Sequence, residues 1–175
     1  NFFKRVYPLI AGVPGNVVEC GVLYGYTLGL LATLIEREGA GRHLFGFDAW
    51  VEPRTDGAPG VSWEKAFHAV DAALAASLIP SAQVEVVRGE FKDTLATKET
   101  GPLAFLHLDC DSYAAYFETL PTLWPRLSKG AIVVLDEYHS PKWTEATSAV
   151  DEFLAKLDSS SYELVPDIRW YIRRT

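Results

Sequence analysis

Four acidic residues of this 175-residue chain stand where two apolar runs stop. His107-Leu108-Asp109-Cys110-Asp111 ends one run, and Asp136-Glu137 ends another. In extended chain, residues two apart share a face, so Asp109 and Asp111 are expected to point the same way. If the two runs are neighbouring strands, their carboxylates meet at one sheet edge. There they repel one another unless a hard divalent cation such as Mg²⁺ lies between them. Each acid also has a plainer explanation: Asp111 as the cap of a helix beginning near Tyr113, and Asp136 as a loop cap. One such coincidence is common; four acids at two apolar strand ends is not. His107 reads first as a hydrogen-bonded core histidine, with a supporting role beside Asp109 left open. His139 follows the acidic pair closely enough to touch the same site.

A second group lies earlier in the chain. Glu19-Cys20-Gly21-Val22-Leu23-Tyr24-Gly25 is an E-x-G-x-x-x-G pattern at the end of an apolar run. Gly21 lets backbone approach a ligand closely, and Gly25 opens a helix whose N-terminus favours a carboxylate. Glu19 suits an ammonium group, so the set suits an amino-acid moiety such as the methionine part of S-adenosylmethionine. A tight turn with a solvent-facing Glu explains the same residues without any ligand. Asp48 follows Gly21 by about 27 residues at the next apolar run and can accept ribose hydroxyls, by the logic of dinucleotide folds. It can equally be a loop or cap residue. The G-x-G-x-x-G fingerprint of nicotinamide enzymes is absent.

These residues need a scaffold that brings strand ends together. Short apolar runs alternate with amphipathic stretches, which predicts βα units around a mostly parallel sheet. The predicted strands are Asn16–Cys20, His43–Phe47, Val84–Val87, Leu103–Leu108 and Ala131–Leu135. Helices are predicted from about Gly25 to Glu38, and on the stripe Trp63, Phe67, Val70, Leu74 and Leu78 closed by Pro80. A helical turn follows near Phe91–Ala96. Another helix runs from Tyr113 to Leu127 and is interrupted at Pro121. A last one is marked by Trp143, Ala146, Val150, Phe153 and Leu157. Val51–Gly60 reads as a Pro/Gly-rich loop. Ser161–Val165 and Ile168–Ile172 read as a closing antiparallel hairpin around Pro166–Asp167. Trp63, Phe67 and His68 look like helix-face packing, with their loop able to wall an acceptor site. No repeat or linker interrupts the chain, so residues 1–175 are expected to form one domain.

Composition narrows the function. Apolar residues make up 49% and charged residues 22%, an ordinary globular balance. Sixteen basic residues face 23 acidic ones, a net charge of −7, which argues against nucleic acid as substrate. No apolar stretch approaches the roughly 20 residues of a membrane span, and no secretory signal opens the sequence. Cys20 and Cys110 read as buried or site-lining thiols in a reducing compartment, so a cytoplasmic location is expected. The chain begins at Asn1 and contains no methionine, so the natural protein is expected to start earlier.

Three stretches together resemble the macrocin O-methyltransferase family of class I S-adenosylmethionine-dependent methyltransferases. Val18-Glu19-Cys20-Gly21-Val22 is close to the family's V-E-x-G-V. Gly89-Glu90-Phe91-Lys92-Asp93-Thr94-Leu95 matches G-x-F-K-D-T-L. Leu108-Asp109-Cys110-Asp111-Ser112-Tyr113, then Leu127-Ser128-Lys129-Gly130 and Asp136-Glu137-Tyr138, follow L-D-x-D-x-Y, L-S-x-G-G and D-D-Y. The resemblance runs from about residue 12 to the end. It implies a Rossmann-like methyltransferase sheet and Mg²⁺-dependent O-methylation, often of a sugar hydroxyl in a natural product. By the same resemblance Asp109, Asp136 and Glu137 hold the metal and Asp111 is the general base. Glu19, Gly21, Gly25, Asp48, Gly89, Phe91 and Asp109 line the S-adenosylmethionine site. The acceptor is a small hydroxylated molecule, and the family leans towards homo-oligomers.

The sequence departs from the family pattern in four places. Glu137 stands for an Asp. Tyr24 and Tyr26 flank Gly25 where an Arg and a second Gly are usual, and Ala131 replaces a Gly. The N-terminal helical segment that helps cover the site is short or missing. A chain that binds S-adenosylmethionine but is catalytically silent, as a regulatory partner, is the alternative expectation.

Overall fold

The computed structural model describes residues 2–50, 62–76 and 83–175. Seven strands form one sheet in the order β3-β2-β1-β4-β5-β7-β6. β1 (Asn16–Cys20), β2 (Leu44–Asp48), β3 (Val84–Arg88), β4 (Leu103–Leu108) and β5 (Leu127–Leu135) run parallel. β7 (Trp170–Arg174) returns antiparallel against β5, and β6 (Tyr162–Val165) pairs with β7. This is the mostly parallel α/β sheet with a C-terminal antiparallel hairpin that the alternation of runs implies. β4 is buried at all six positions, as a parallel strand covered on both faces must be.

Alternate residues of the strands feed two cores. One face takes Val17, Leu44, Phe105, Ile132 and Val134. It is covered by α1 (Phe2–Val6), a 3₁₀ turn over Tyr7–Ile10, α2 (Tyr26–Glu38) and α3 (Trp63–Ala75). The other takes Val18, Cys20, Leu106, Leu108, Val133 and Leu135 under α5 (Tyr113–Leu123) and α6 (Thr144–Leu154). Leu28, Leu31 and Ile35 of α2 are buried at helical spacing, each contributing on the order of 2 kcal/mol of burial. Between β3 and β4 lies the short α4 (Phe91–Thr94). The chain there crosses from one side of β1 to the other, so β1 and β4 flank the point where the winding reverses, the usual ligand crevice of open α/β sheets.

Several elements differ from the sequence expectation. Pro121 does not interrupt its helix: it lies inside α5, which ends two residues later in a 3₁₀ turn over Trp124–Arg126. A proline this close to a helix end removes a hydrogen bond only in the last turns. β5 begins at Leu127, not Ala131, so Gly130 lies within it at φ +87°. The last helix is shorter than its stripe, with Trp143 preceding it and Leu157 beyond it. Ile168 is 80% exposed and belongs to the turn, where Asp167 accepts the Ile168 N–H; the final strand therefore starts at Trp170. The loop expected at Val51–Gly60, Leu78 of the α3 stripe and Pro80 lie outside the described residues. α1 was not legible: five residues carry too little periodicity, yet Phe2, Phe3 and Val6 are buried against the sheet.

Arg42 fixes the 3₁₀ turn to the end of α2. Its guanidinium donates to both Glu38 oxygens at 2.8 Å and to the carbonyls of Val13, Gly15 and Ile10, while the Tyr7 hydroxyl donates to Glu38. Arg5 in turn grips Asp167 with two hydrogen bonds, tying α1 to the β6–β7 turn. No helix among the described residues is long and apolar enough to cross a membrane.

Candidate active site

The C-terminal ends of β2, β1, β4 and β5 are laced side by side by backbone. Gly21 N–H donates to the Phe47 carbonyl, Asp109 N–H to Cys20 and Asp136 N–H to Leu108, each at 2.9 Å. Glu19, Asp48, Asp109 and Asp136 thus arrive at one edge. Beside them opens a cavity of about 390 Å³, lined by Glu19, Gly21, Asp48, Phe91, Asp109 and Asp111 among others. Its size is that of a small-molecule site. Gly25 and Gly89 of the expected set do not line it; their neighbours Tyr24, Tyr26 and Glu90 do. Gly89 instead donates its N–H to the Asp48 carbonyl at 3.0 Å.

Gly25 is the N-cap of α2 with φ +77°, and no side chain among the described residues caps that helix. Its amide N-terminus therefore has room for an external acceptor beside the cavity. Asp48 holds the turn that leads there: Oδ2 accepts the Val22 and Leu23 N–H at 2.9 Å, and Oδ1 accepts Trp50 N–H at 3.0 Å. Three of its roughly four lone-pair sites are filled by backbone, so its first task is to shape the loop.

Glu19 is buried at 1% exposure. Oε1 lies 3.0 Å from His107 Nδ1, and Oε2 has no hydrogen-bond partner among the described residues. Burial pushes this carboxyl up to about 6, against the lowering effect of His107. His107 Nε2 lies 3.5 Å from Asp136 Oδ1, which also accepts from Arg169 Nε. Burial alone would depress the imidazole, but the hydrogen bonds to Asp136 and Glu19 outweigh it and raise it to about 10. For Asp136 burial works upward and is outweighed by His107 and Arg169, which hold its carboxyl below the usual range. Asp136 is therefore a partner of two cations and not a loop cap.

Asp109, Asp111 and Glu137 bring carboxylate oxygens within 4.8 Å of one another, and the same spacing holds for one oxygen each of Asp109 and Asp136 with a ring nitrogen of His107. The three expected metal ligands are thus divided between two overlapping groups, with Asp109 common to both. Burial first, then the neighbouring carboxylates, raises Asp109 and Glu137, so the pair favours a shared proton where no cation is present. The Tyr116 hydroxyl lies 2.5 Å from Glu137 Oε2 and fixes that side chain. A set of hard oxygen donors in this state of mutual repulsion fits Mg²⁺.

Asp111 does not cap α5: Ser112 does, accepting the Ala115 N–H. Nor is the backbone extended there, since Asp111 has φ +64°. Among the described residues, the other non-glycine positions with positive φ are Leu23, Trp50 and His139. Leu23, Trp50 and Asp111 line the cavity, and His139 packs at a tilt against Tyr138 and Trp170 beyond the acidic pair. Strained backbone gathers at functional sites because surrounding structure must hold it there. Trp50 escaped the sequence reading: it is buried, packs on Phe67 and donates its indole N–H to the Leu23 carbonyl. Arg169 escaped it too. The β5–β7 register pairs Leu135 with Trp170, so one step further brings Arg169 to Asp136. Cys20 and Cys110 are free and buried, and burial keeps both thiols protonated; Cys110 lines the cavity.

A sheet of this order with an acid-rimmed crevice at its reversal point defines a Rossmann-like methyltransferase fold. The family model for macrocin-O-methyltransferase (TylF) matches residues 8–161, and the chain belongs to that family. A demethyldecarbamoylnovobiocin O-methyltransferase of Streptomyces niveus is 30% identical over 83% of this chain and 60% of its own. An 8-demethyl-8-(2,3-dimethoxy-alpha-L-rhamnosyl)-tetracenomycin-C 4'-O-methyltransferase of Streptomyces olivaceus is 33% identical over 74% of this chain and 55% of its own. The chain thus spans less than two thirds of either relative. The solved structure of the O-methyltransferase NovP superposes with a TM-score of 0.80 at 28% identity, covering 98% of this chain and 80% of that one.

Proposed function

We propose that this chain transfers the methyl group of S-adenosylmethionine to a hydroxyl of a sugar or small natural product, with a divalent metal. Membership of the family and the names of its relatives support the reaction class. The observation that carries the reading is one cavity lined both by Glu19, with a buried unpartnered oxygen, and by Asp109 and Asp111 of the carboxylate group.

The donor half follows from charge. Glu19 Oε2 accepts the ammonium of the methionine part, and the uncapped α2 N-terminus receives its carboxylate. Asp48 keeps a free lone pair for a ribose hydroxyl, and Phe91 supplies an apolar wall. Gly21 allows the donor to lie against the backbone, and Glu90, beside Gly89, completes that rim.

In the acceptor half, Asp109, Asp136 and Glu137 are the residues that would hold Mg²⁺. When bound, the metal makes an acceptor hydroxyl more acidic. Asp111 takes the hydroxyl proton as the acceptor oxygen attacks the methyl carbon, in line with the departing thioether. Holding acceptor and donor in that alignment contributes as much as about 7 kcal/mol through effective molarity.

The test is transfer of labelled methyl from S-adenosylmethionine to hydroxylated sugars and phenols, with Mg²⁺ and with excess chelator. Transfer that chelator abolishes and Mg²⁺ restores supports the whole reading. Full activity in chelator removes the metal and leaves the carboxylates a structural group.

A further inference from the structure

His107 reaches Glu19 of the donor half and Asp136 of the cation half at once. It is wholly buried, on β4 between β1 and β5. Nδ1 holds Glu19 Oε1 at 3.0 Å, which leaves Oε2 as the oxygen without a partner among the described residues. Nε2 faces Asp136 Oδ1 at 3.5 Å, on the oxygen that Arg169 also addresses. Phe3 packs on the ring in a T-shaped pair, with centroids 4.9 Å apart and planes at 83°. A carboxylate bound through one oxygen to a fixed donor has its second oxygen aimed by that bond. An imidazole that fixes two carboxylates at once makes the position of each depend on the other.

We propose that His107 is a positioning residue that couples donor binding at Glu19 to cation binding at the Asp136 edge. The inference rests on the reading of the cavity as a methyl-donor site. Coupling between two sites is reciprocal, so a cation that settles Asp136 tightens the donor, and the donor tightens the cation by the same factor. Arg169 and Phe3 support this from outside, the guanidinium lying 5.7 Å from the Phe3 ring centroid.

The experiment is calorimetric titration of S-adenosylmethionine into the full chain, with Mg²⁺ and with chelator, for wild type, His107→Phe and His107→Gln. Wild type is expected to bind severalfold more tightly with Mg²⁺. His107→Phe keeps a ring against Phe3 but has no hydrogen-bond donor; it is expected to bind about tenfold more weakly and equally in both buffers, a loss of about 1.4 kcal/mol. His107→Gln, whose amide can still donate, is expected to recover much of both effects, which a purely space-filling role would not give. Should the phenylalanine variant not fold, His107→Asn, too short to reach both carboxylates, replaces it with the same expectation. A folded His107→Phe with wild-type affinity and Mg²⁺ response overturns the proposal. So does weakened binding with the Mg²⁺ response intact, or a wild type whose affinity ignores Mg²⁺. Wild type that binds no donor in either buffer instead overturns the methyl-donor reading itself.

Discussion

Gly21 and Asp109 touch through their backbones: a Cβ placed on Gly21 would sit 1.7 Å from the Asp109 carbonyl oxygen. Gly21 also has φ +90°, which side-chain-bearing residues rarely adopt. The end of β1 is therefore seated on the end of β4 at a distance only glycine permits, and this seating brings Glu19 and Asp109 to one cavity.

Replacing Gly21 by Ala should accordingly cost about 3 kcal/mol or more, through collision and strain together. Urea unfolding followed by far-UV circular dichroism measures it. A loss below about 1 kcal/mol would mean that β1 and β4 separate easily, and that the cavity is not held by this contact.

Asp111 is best tested by Asp111→Asn, because Asn tolerates a left-handed backbone as Asp does, whereas Ala would add strain. Turnover should fall by about 10²- to 10⁴-fold, with donor affinity changed little. Turnover close to wild type takes the proton-accepting role away from Asp111.

Because Asp109 belongs to both candidate cation groups, its neutralisation should remove cation binding altogether. In wild type, Mg²⁺ at a hundredfold excess over its dissociation constant should stabilise the fold by about 2.7 kcal/mol. Asp109→Asn should show no rise in melting temperature on the same addition. Equal rises in both proteins place the cation elsewhere.

The Arg42 hydrogen bonds hold the Glu38 carboxyl below its ordinary value of 4.5. A carboxyl whose folded pKa is depressed stabilises above its unfolded pKa and loses that contribution as pH falls through the folded value. Glu38→Gln should therefore melt below wild type by a constant margin from pH 8 to about 5.5, and the margin should close at more acid pH. A margin independent of pH down to pH 3 assigns the effect to lost packing instead of charge.

The strand ends were legible because apolar runs are long in parallel strands and stop abruptly, so Glu19, Asp48, Asp109 and Asp136 stood out against Val, Leu and Phe. What the pattern could not give was the partner of each acid. The three backbone N–H groups on Asp48 depend on a turn whose geometry no spacing encodes. Arg169 reaches Asp136 across a β5–β7 pairing 33 positions apart in the chain. Ile168 misled as a strand residue because it is apolar and follows a turn signal, although Asp167 claims its N–H and leaves the side chain in water. His107 was legible as a core histidine, but its hold on Glu19 spans 88 positions.

The grip of Arg5 on Asp167 joins positions 162 apart. Ribosomes release chain from the N-terminal side at about 5 to 20 residues per second. Phe2 and Phe3 thus emerge before the strands whose surface they will cover. Glu19, His107 and Asp136 can come together while Arg169 and the β6–β7 turn remain in the exit tunnel, leaving the buried charges short of their last cation. The site is completed only once the β6–β7 turn has emerged, so a nascent chain passes through a stage in which its central strands have paired but its acid cluster is still unbalanced.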